Sequence, residues 1–373
     1  GVTPYINASI IVQLLTVAIP ALENMAKEAD GQQKLQQINR YAGAVVALIM
    51  SIGYYFVIRN MGALKYVSGG AGIFAAIVII ATFVAGAQLI TWCGEQIDDK
   101  GIGNGISIIL FAGIVSRIPA LITQLFGGSG TGSYWSRGGV YYFLSPFVCV
   151  ILILMVAFIV WMDNAERRIP VQYAKRVVGR KMYGGQNTHI PIKVNMSGVM
   201  PIIFAGSILS IPPTIQMFIP SAKLADSKFW TGFFKVFTST HWAYGIIYFI
   251  LIIAFAYFYS SIQYNPIEMS QNIAKNGGMI PGIRTGRPTS DYIARIISRI
   301  TLLGALLLSV VAIFPIVFSQ LTTLILTKTT VYADGMNVSL GGTSIIILVG
   351  VALETVKQLE SQMMMRHYKG FLD

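Results

Sequence analysis

The chain has 373 residues, of which 54% are hydrophobic and only 11% charged, and it carries a net charge of +12. Soluble globular chains run to about 25% charged residues, so a water-soluble protein of two or three domains is excluded. The clumping of the basic residues asks for a membrane rather than a nucleic acid.

The bilayer core takes a helix of about 20 apolar residues. Nine stretches qualify, at roughly 3–20, 41–60, 71–92, 105–125, 141–163, 198–219, 243–264, 300–327 and 343–362. Gly1 leads into the first without a basic leader or cleavage site, so it does not read as a signal peptide. Before the fourth, the run from Gly101 to Gly105 lacks the strand and the GK[ST] ending of a phosphate loop. It reads as a tight turn, with Asp98 and Asp99 beside it solvated. A Gly/Ser run at 127–133 follows the fourth helix. Segments 164–197 and 265–295 are long, basic and rich in Gly and Pro, and they read as loops. Gly198, Pro201, Gly206, Pro212 and Pro213 interrupt the sixth helix. That pattern fits either a kinked packing helix or one built to move. Pro315 interrupts the eighth helix, and Glu354 and Lys357 sit three residues apart in the ninth.

Orientation follows from Lys and Arg. Most of the 27 basic residues fall after the first, third, fifth and seventh helices and in the C-terminal tail. That side is expected to be cytoplasmic. Trp92 and Trp161 fall at its helix ends, and Trp135, Trp230 and Trp242 at or beside the opposite loops, as interfacial aromatic belts require.

Most of the predicted spans have centres without ionisable groups, which argues against an ion-coupled transporter, the leading rival reading. HExxH, GxSxG and clustered His/Cys ligands are absent from the sequence, which argues against a membrane-embedded enzyme. Cys93 and Cys149 lie far apart in apolar surroundings and read as small hydrophobes.

Several segments, in order and across almost the whole chain, resemble the SecY family, the pore subunit of the protein-conducting translocon. They are Gly1-Val-Thr-Pro-Tyr-Ile6 with Ala8-Ser-Ile-Ile-Val-Gln-Leu-Leu15, and Gly94-Glu-Gln-Ile97 with Gly101-Ile-Gly-Asn-Gly-Ile-Ser107. Arg167-Arg168-Ile169 with Tyr173-Ala-Lys-Arg176, Lys193-Val-Asn-Met196, Pro281-Gly-Ile-Arg284 and Gly341-Gly-Thr-Ser344 complete the set. The resemblance implies an all-α membrane fold of two inverted, pseudo-symmetric halves around a central hourglass pore. Residues 1–133 would form the N-terminal half, with four helices and without the family's first helix and plug. Residues 134–373 would form the C-terminal half, with five helices and two long cytoplasmic loops.

The resemblance further implies a pore ring of Val2, Ile6, Leu110, Ile114, Ile203 and Ile347. Asn7, Ile10 and Ile211 would line a lateral gate. Arg167, Arg168, Lys175, Arg176, Arg180, Lys181 and Arg284 would dock the ribosome or the SecA motor. It implies a passive conduit in a prokaryotic plasma (inner) membrane, with its C-terminus cytoplasmic and with no catalysis, cofactor or metal. SecE, a SecG-type subunit, the translocating polypeptide or signal sequence, and membrane lipids would be its partners.

Overall fold

A computed structural model describes residues 2–27, 29–65, 69–127, 133–135, 139, 141–173, 176–178, 181–183, 187–217, 228–238, 241–329 and 341–369. The described residues are dominated by helices: α1 (Thr3–Ala18), α2 (Pro20–Lys27), α3 (Ala29–Asn60), α4 (Gly69–Lys100), α5 (Gly105–Val115), α6 (Ile118–Phe126) and α7 (Tyr141–Asn164). After these come α8 (Met200–Met217), α9 (Lys228–Val236), α10 (Trp242–Gln263), α11 (Pro266–Lys275), α12 (Arg287–Thr329) and α13 (Gly342–Lys369). Among the described residues, seven stretches are long and apolar enough to cross a bilayer, and α1 and α8 are shorter apolar helices. Together they account for the nine expected spans.

The fourth expected helix is split into α5 and α6, and elsewhere some helices are longer than their apolar stretches. α3 begins at Ala29 rather than near 41, and α12 at Arg287 rather than near 300. Hydropathy marks only the part of a helix that meets lipid, whereas the backbone ladder continues into water wherever capping and packing allow.

The chain divides into two compact units. The first comprises Gly1–Ala120, Gly206–Tyr244 and Val351–Asp373. In it α1 packs along α3, α3 against α4, and α4 folds back onto α5. Ala8, Val12, Ala47 and Ala87 are buried there, so small side chains let the helices approach closely. Buried hydroxyls are satisfied within their own helix: Ser51 donates to the Ala47 carbonyl at 2.6 Å and Thr91 to the Ala87 carbonyl at 3.0 Å. Lipid offers no alternative partner.

The second unit comprises Leu121–Ala205 and Gly245–Gly350. Here polar pairs tie helices together. The Ser260 and Thr301 hydroxyls lie 3.0 Å apart between α10 and α12, and those of Tyr248 and Thr343 2.9 Å apart between α10 and α13. Gly304 brings α12 under the Val194 carbonyl, which a Cβ at that position would approach to 2.4 Å.

Of the two long basic segments, both expected as loops, the first is built around strands β1 (Glu166–Tyr173), β2 (Arg176–Val178), β3 (Lys181–Tyr183) and β4 (Asn187–Lys193), and the second holds α11, the short strand β5 (Gly278–Met279) and the start of α12. β1 is central in an antiparallel sheet of order β4-β1-β5, and β2 pairs with β3 in a second ribbon. Glu166 faces Lys193 at one end of the β1–β4 ladder, and Gln172 pairs with Met279 of β5. Ile169, Val171, Ile192, Met196, Ile273, Ile280, Ile293 and Ile297 form a core linking the sheet to α11 and the first turns of α12.

Candidate functional site

The expected constriction residues lie on four helices whose relevant stretches carry no charge. On α1, Pro4 stands at the first turn, where its missing N–H costs nothing. Val2 is the N-cap residue, and the Ile6 amide donates to its carbonyl at 3.2 Å. Four-residue spacing stacks Val2, Ile6 and Ile10 along one face of the helix. Val2 and Ile6 are half-buried, while Ile10 is buried. Asn7, on the adjoining face, is half-buried.

Leu110 and Ile114, again four apart, are half-buried on α5. The start of that helix is tightly fixed. Asn104 caps it, its Oδ1 accepting from the Ser107 amide at 3.0 Å. Asp98 is more than a solvated charge, since its Oδ1 accepts from the Gly105 amide at 2.7 Å across the turn. A Cβ on Gly105 would lie 2.0 Å from the Gly94 carbonyl oxygen, so the backbones of α4 and α5 touch there. Gly103 turns with φ of +86°, a conformation that favours glycine, and faces Thr355 and Gln358 of α13. Arg40 of α3 donates from Nε to Glu95 Oε1 of α4 at 3.0 Å and pairs a second time through its guanidinium.

In the second unit, Ile203 lies half-buried beside fully buried Ile202 and Phe204. The Phe204 ring packs edge-on against Phe255, with centroids 5.7 Å apart. Ile347 likewise is half-buried next to buried Ile345 and Ile346. α13 meets the start of α8 where Gly350 faces Val199, a Cβ there lying 2.8 Å from the valine Cγ2. That crossing is one helical turn from Ile347 on α13 and one from Ile203 on α8. Each of the six aliphatics is half-buried, neither sealed in a core nor fully exposed. Ile211, expected at the gate, is 52% exposed just before Pro212 and Pro213, through which α8 continues.

The expected docking residues sit on the strand-built body. Arg167 and Arg168 are exposed on β1, just ahead of buried Ile169 and Val171, and Arg168 Nε lies 2.7 Å from Glu166 Oε1. Arg176 pairs with Tyr183 and Lys181 with Val178 in the β2–β3 register. Arg284 is exposed in the turn before α12, its carbonyl accepting from the Thr289 hydroxyl at 2.8 Å. Lys175 and Arg180 lie outside the described residues. Because β5 pairs with β1, the two basic segments are parts of one body. Sequence reading missed this, although the alternation from Arg168 to Gln172 is a strand signal. Cys93 and Cys149 are free and half-buried. No group of three or more metal-ligating side chains occurs among the described residues.

A family model described as SecY matches residues 1–356. The protein translocase subunit SecY of Mycobacterium tuberculosis is 44% identical over 382 residues, covering 100% of this chain and 82% of that protein. The Corynebacterium glutamicum subunit of the same name is 42% identical over 381 residues with the same coverage. Among solved structures, "The structure of a protein conducting channel" superposes with a TM-score of 0.59 at 17% identity, covering 97% of this chain and 80% of that one. Sec61 in the canine ribosome-channel complex gives 0.53 at 16% identity, with the same coverage. At these identities the superpositions establish a shared fold.

Proposed function

Because the chain belongs to the SecY family, we propose that it conducts unfolded secretory polypeptides across a prokaryotic plasma membrane and releases hydrophobic segments sideways into the lipid. It is a multi-pass membrane protein and a protein translocase subunit, a channel component rather than an enzyme. The energy comes from a partner, either the ribosome or the SecA motor, and SecE and a SecG-type subunit accompany it. The basic side, with the C-terminus, faces the cytoplasm. Residues 1–133 and 134–373 act as the two halves of the conduit.

Val2, Ile6, Leu110, Ile114, Ile203 and Ile347 form the constriction. The observation that carries this role is their common character: aliphatic, half-buried and set on uncharged stretches of α1, α5, α8 and α13. A ring of flexible apolar side chains excludes water and so blocks ions, yet offers a passing polypeptide nothing to bind. Asn7, Ile10 and Ile211 line the sideways exit, and the prolines after Ile211 suit a helix that shifts. A segment leaving by that route partitions by hydrophobicity, each central charge opposing it by about 2.5–3.5 kcal/mol. Arg167, Arg168, Lys175, Arg176, Arg180, Lys181 and Arg284 dock the ribosome or SecA, and any phosphate contacts they make weaken steeply with salt.

The test is Ile203→Asn, with Ile347→Asn as its companion, in channels reconstituted with their partner subunits. Each is expected to raise resting ion conductance severalfold and to admit precursors with weakened signal sequences. Unchanged conductance in both variants would remove these residues from the constriction.

A further inference from the structure

Helix α9 carries a concentrated aromatic surface that the conduit reading leaves unused. Phe229 is 73% exposed, Trp230 49% and Phe233 40%, whereas Phe234 is only 4% exposed. Helical spacing places the first three within about a quarter turn of one another, and Phe234 beyond them faces inward. The outward rings interlock, Trp230 lying 5.8 Å from Phe229 and 6.1 Å from Phe233, both edge to face. Lys235 is exposed and projects well away from them around the helix. Three large aromatic rings held together in water form an adhesive patch that calls for a partner.

The level at which the patch sits identifies that partner. Only five residues separate Val236 from Trp242, the first residue of α10, so the connection reaches at most about 20 Å. Tight turns shorten it further: the Thr238 amide donates to the Lys235 carbonyl, the His241 amide to the Thr238 carbonyl and the Tyr244 amide to the His241 carbonyl, at 3.0–3.2 Å. α10 is a spanning helix, and Trp242, 52% exposed at its mouth, marks the boundary between lipid and water. α9 is thereby tethered at the depth of the headgroups, where aromatic rings are favoured and a lysine meets phosphate.

We infer that α9 is an interfacial anchor. It lies in the membrane–water boundary at the Trp242 end of α10, with Phe229, Trp230 and Phe233 against the upper acyl chains and Lys235 among the lipid phosphates.

The experiment uses the full chain with its partner subunits in phosphatidylcholine–phosphatidylglycerol vesicles, with Cys93→Ala and Cys149→Ala as background. An environment-sensitive fluorophore is attached at Phe229→Cys, and separately at Phe233→Cys and Lys235→Cys. At 229 and 233, nitroxide placed near the lipid headgroup is expected to quench about twofold more strongly than nitroxide at the acyl-chain end or iodide in the buffer. At 235, iodide is expected to dominate. Three outcomes at 229 and 233 overturn the inference: dominant quenching by iodide, which leaves the helix in water; strongest quenching from the acyl-chain end, which makes it inserted; and quenching by none of the three, which makes the patch a protein contact.

Discussion

The spanning helices and the strand-built body use hydrophobic side chains in opposite ways. On α4, Ile73, Phe74 and Ile77 are 60–69% exposed, and only 6% of its apolar stretch is buried. On β1 Arg167 and Arg168 are exposed, and the aliphatics after them, Ile169 and Val171, point into a closed core. In lipid an apolar side chain gains little from burial, so helices are positioned by how closely their backbones can meet. In water the apolar side chains themselves supply the driving force. The spans should therefore be fragile at particular glycines, and the sheet at its isoleucines.

The largest effect is expected at Gly105. Gly105→Val drives a branched side chain into the Gly94 backbone and should lower accumulation of folded channel severalfold or more. Gly113→Val on the same helix meets nothing within 4 Å and should accumulate normally. Equal losses in both would break the contrast between backbone-set spans and core-set sheet. Next comes Ile169→Ala, which removes most of a fully buried aliphatic and should destabilise the sheet by about 2–5 kcal/mol. Hydrogen exchange followed by mass spectrometry should speed up in β1 and β4 while α3 and α4 keep their protection. Smallest is Arg40→Ala. Its guanidinium side chain is 57% exposed, so losing the pair with Glu95 should cost at most about 1 kcal/mol, an effect that fades in high salt. A thermal midpoint shifted strongly at every salt concentration would give that pair a larger part in joining α3 to α4.

Hydropathy alone made nine helical segments legible, because a bilayer demands long uncharged runs and leaves few other structures possible. Their ends were harder to place. The segment from Ala29 to Arg40 is polar, yet it extends α3, and no lipid-based signal reports a helix standing in water. The strands were obscured by the Gly, Pro and basic residues of their segments, and β5 is two residues long, recognisable only by its pairing with Gln172 and Tyr173. The aliphatic positions on α1, α5, α8 and α13 came from motif resemblance, since composition cannot single out one isoleucine among many. The bond from the Gly105 amide to Asp98 had no such guide, because a carboxylate seven residues away marks nothing until the turn closes.

α12 runs unbroken for 43 residues, about 65 Å, twice the thickness of the hydrocarbon core. Its first turns, with Ile293 and Ile297, lie in the core beneath the sheet, and Gly304 slides under Val194. Ahead of it by a few residues stands Arg284. A macromolecule that seizes this end holds a crankshaft: a push or twist given in water travels along one rod as far as Pro315, 28 residues in, where the proline removes a backbone bond and gives the helix a place to bend.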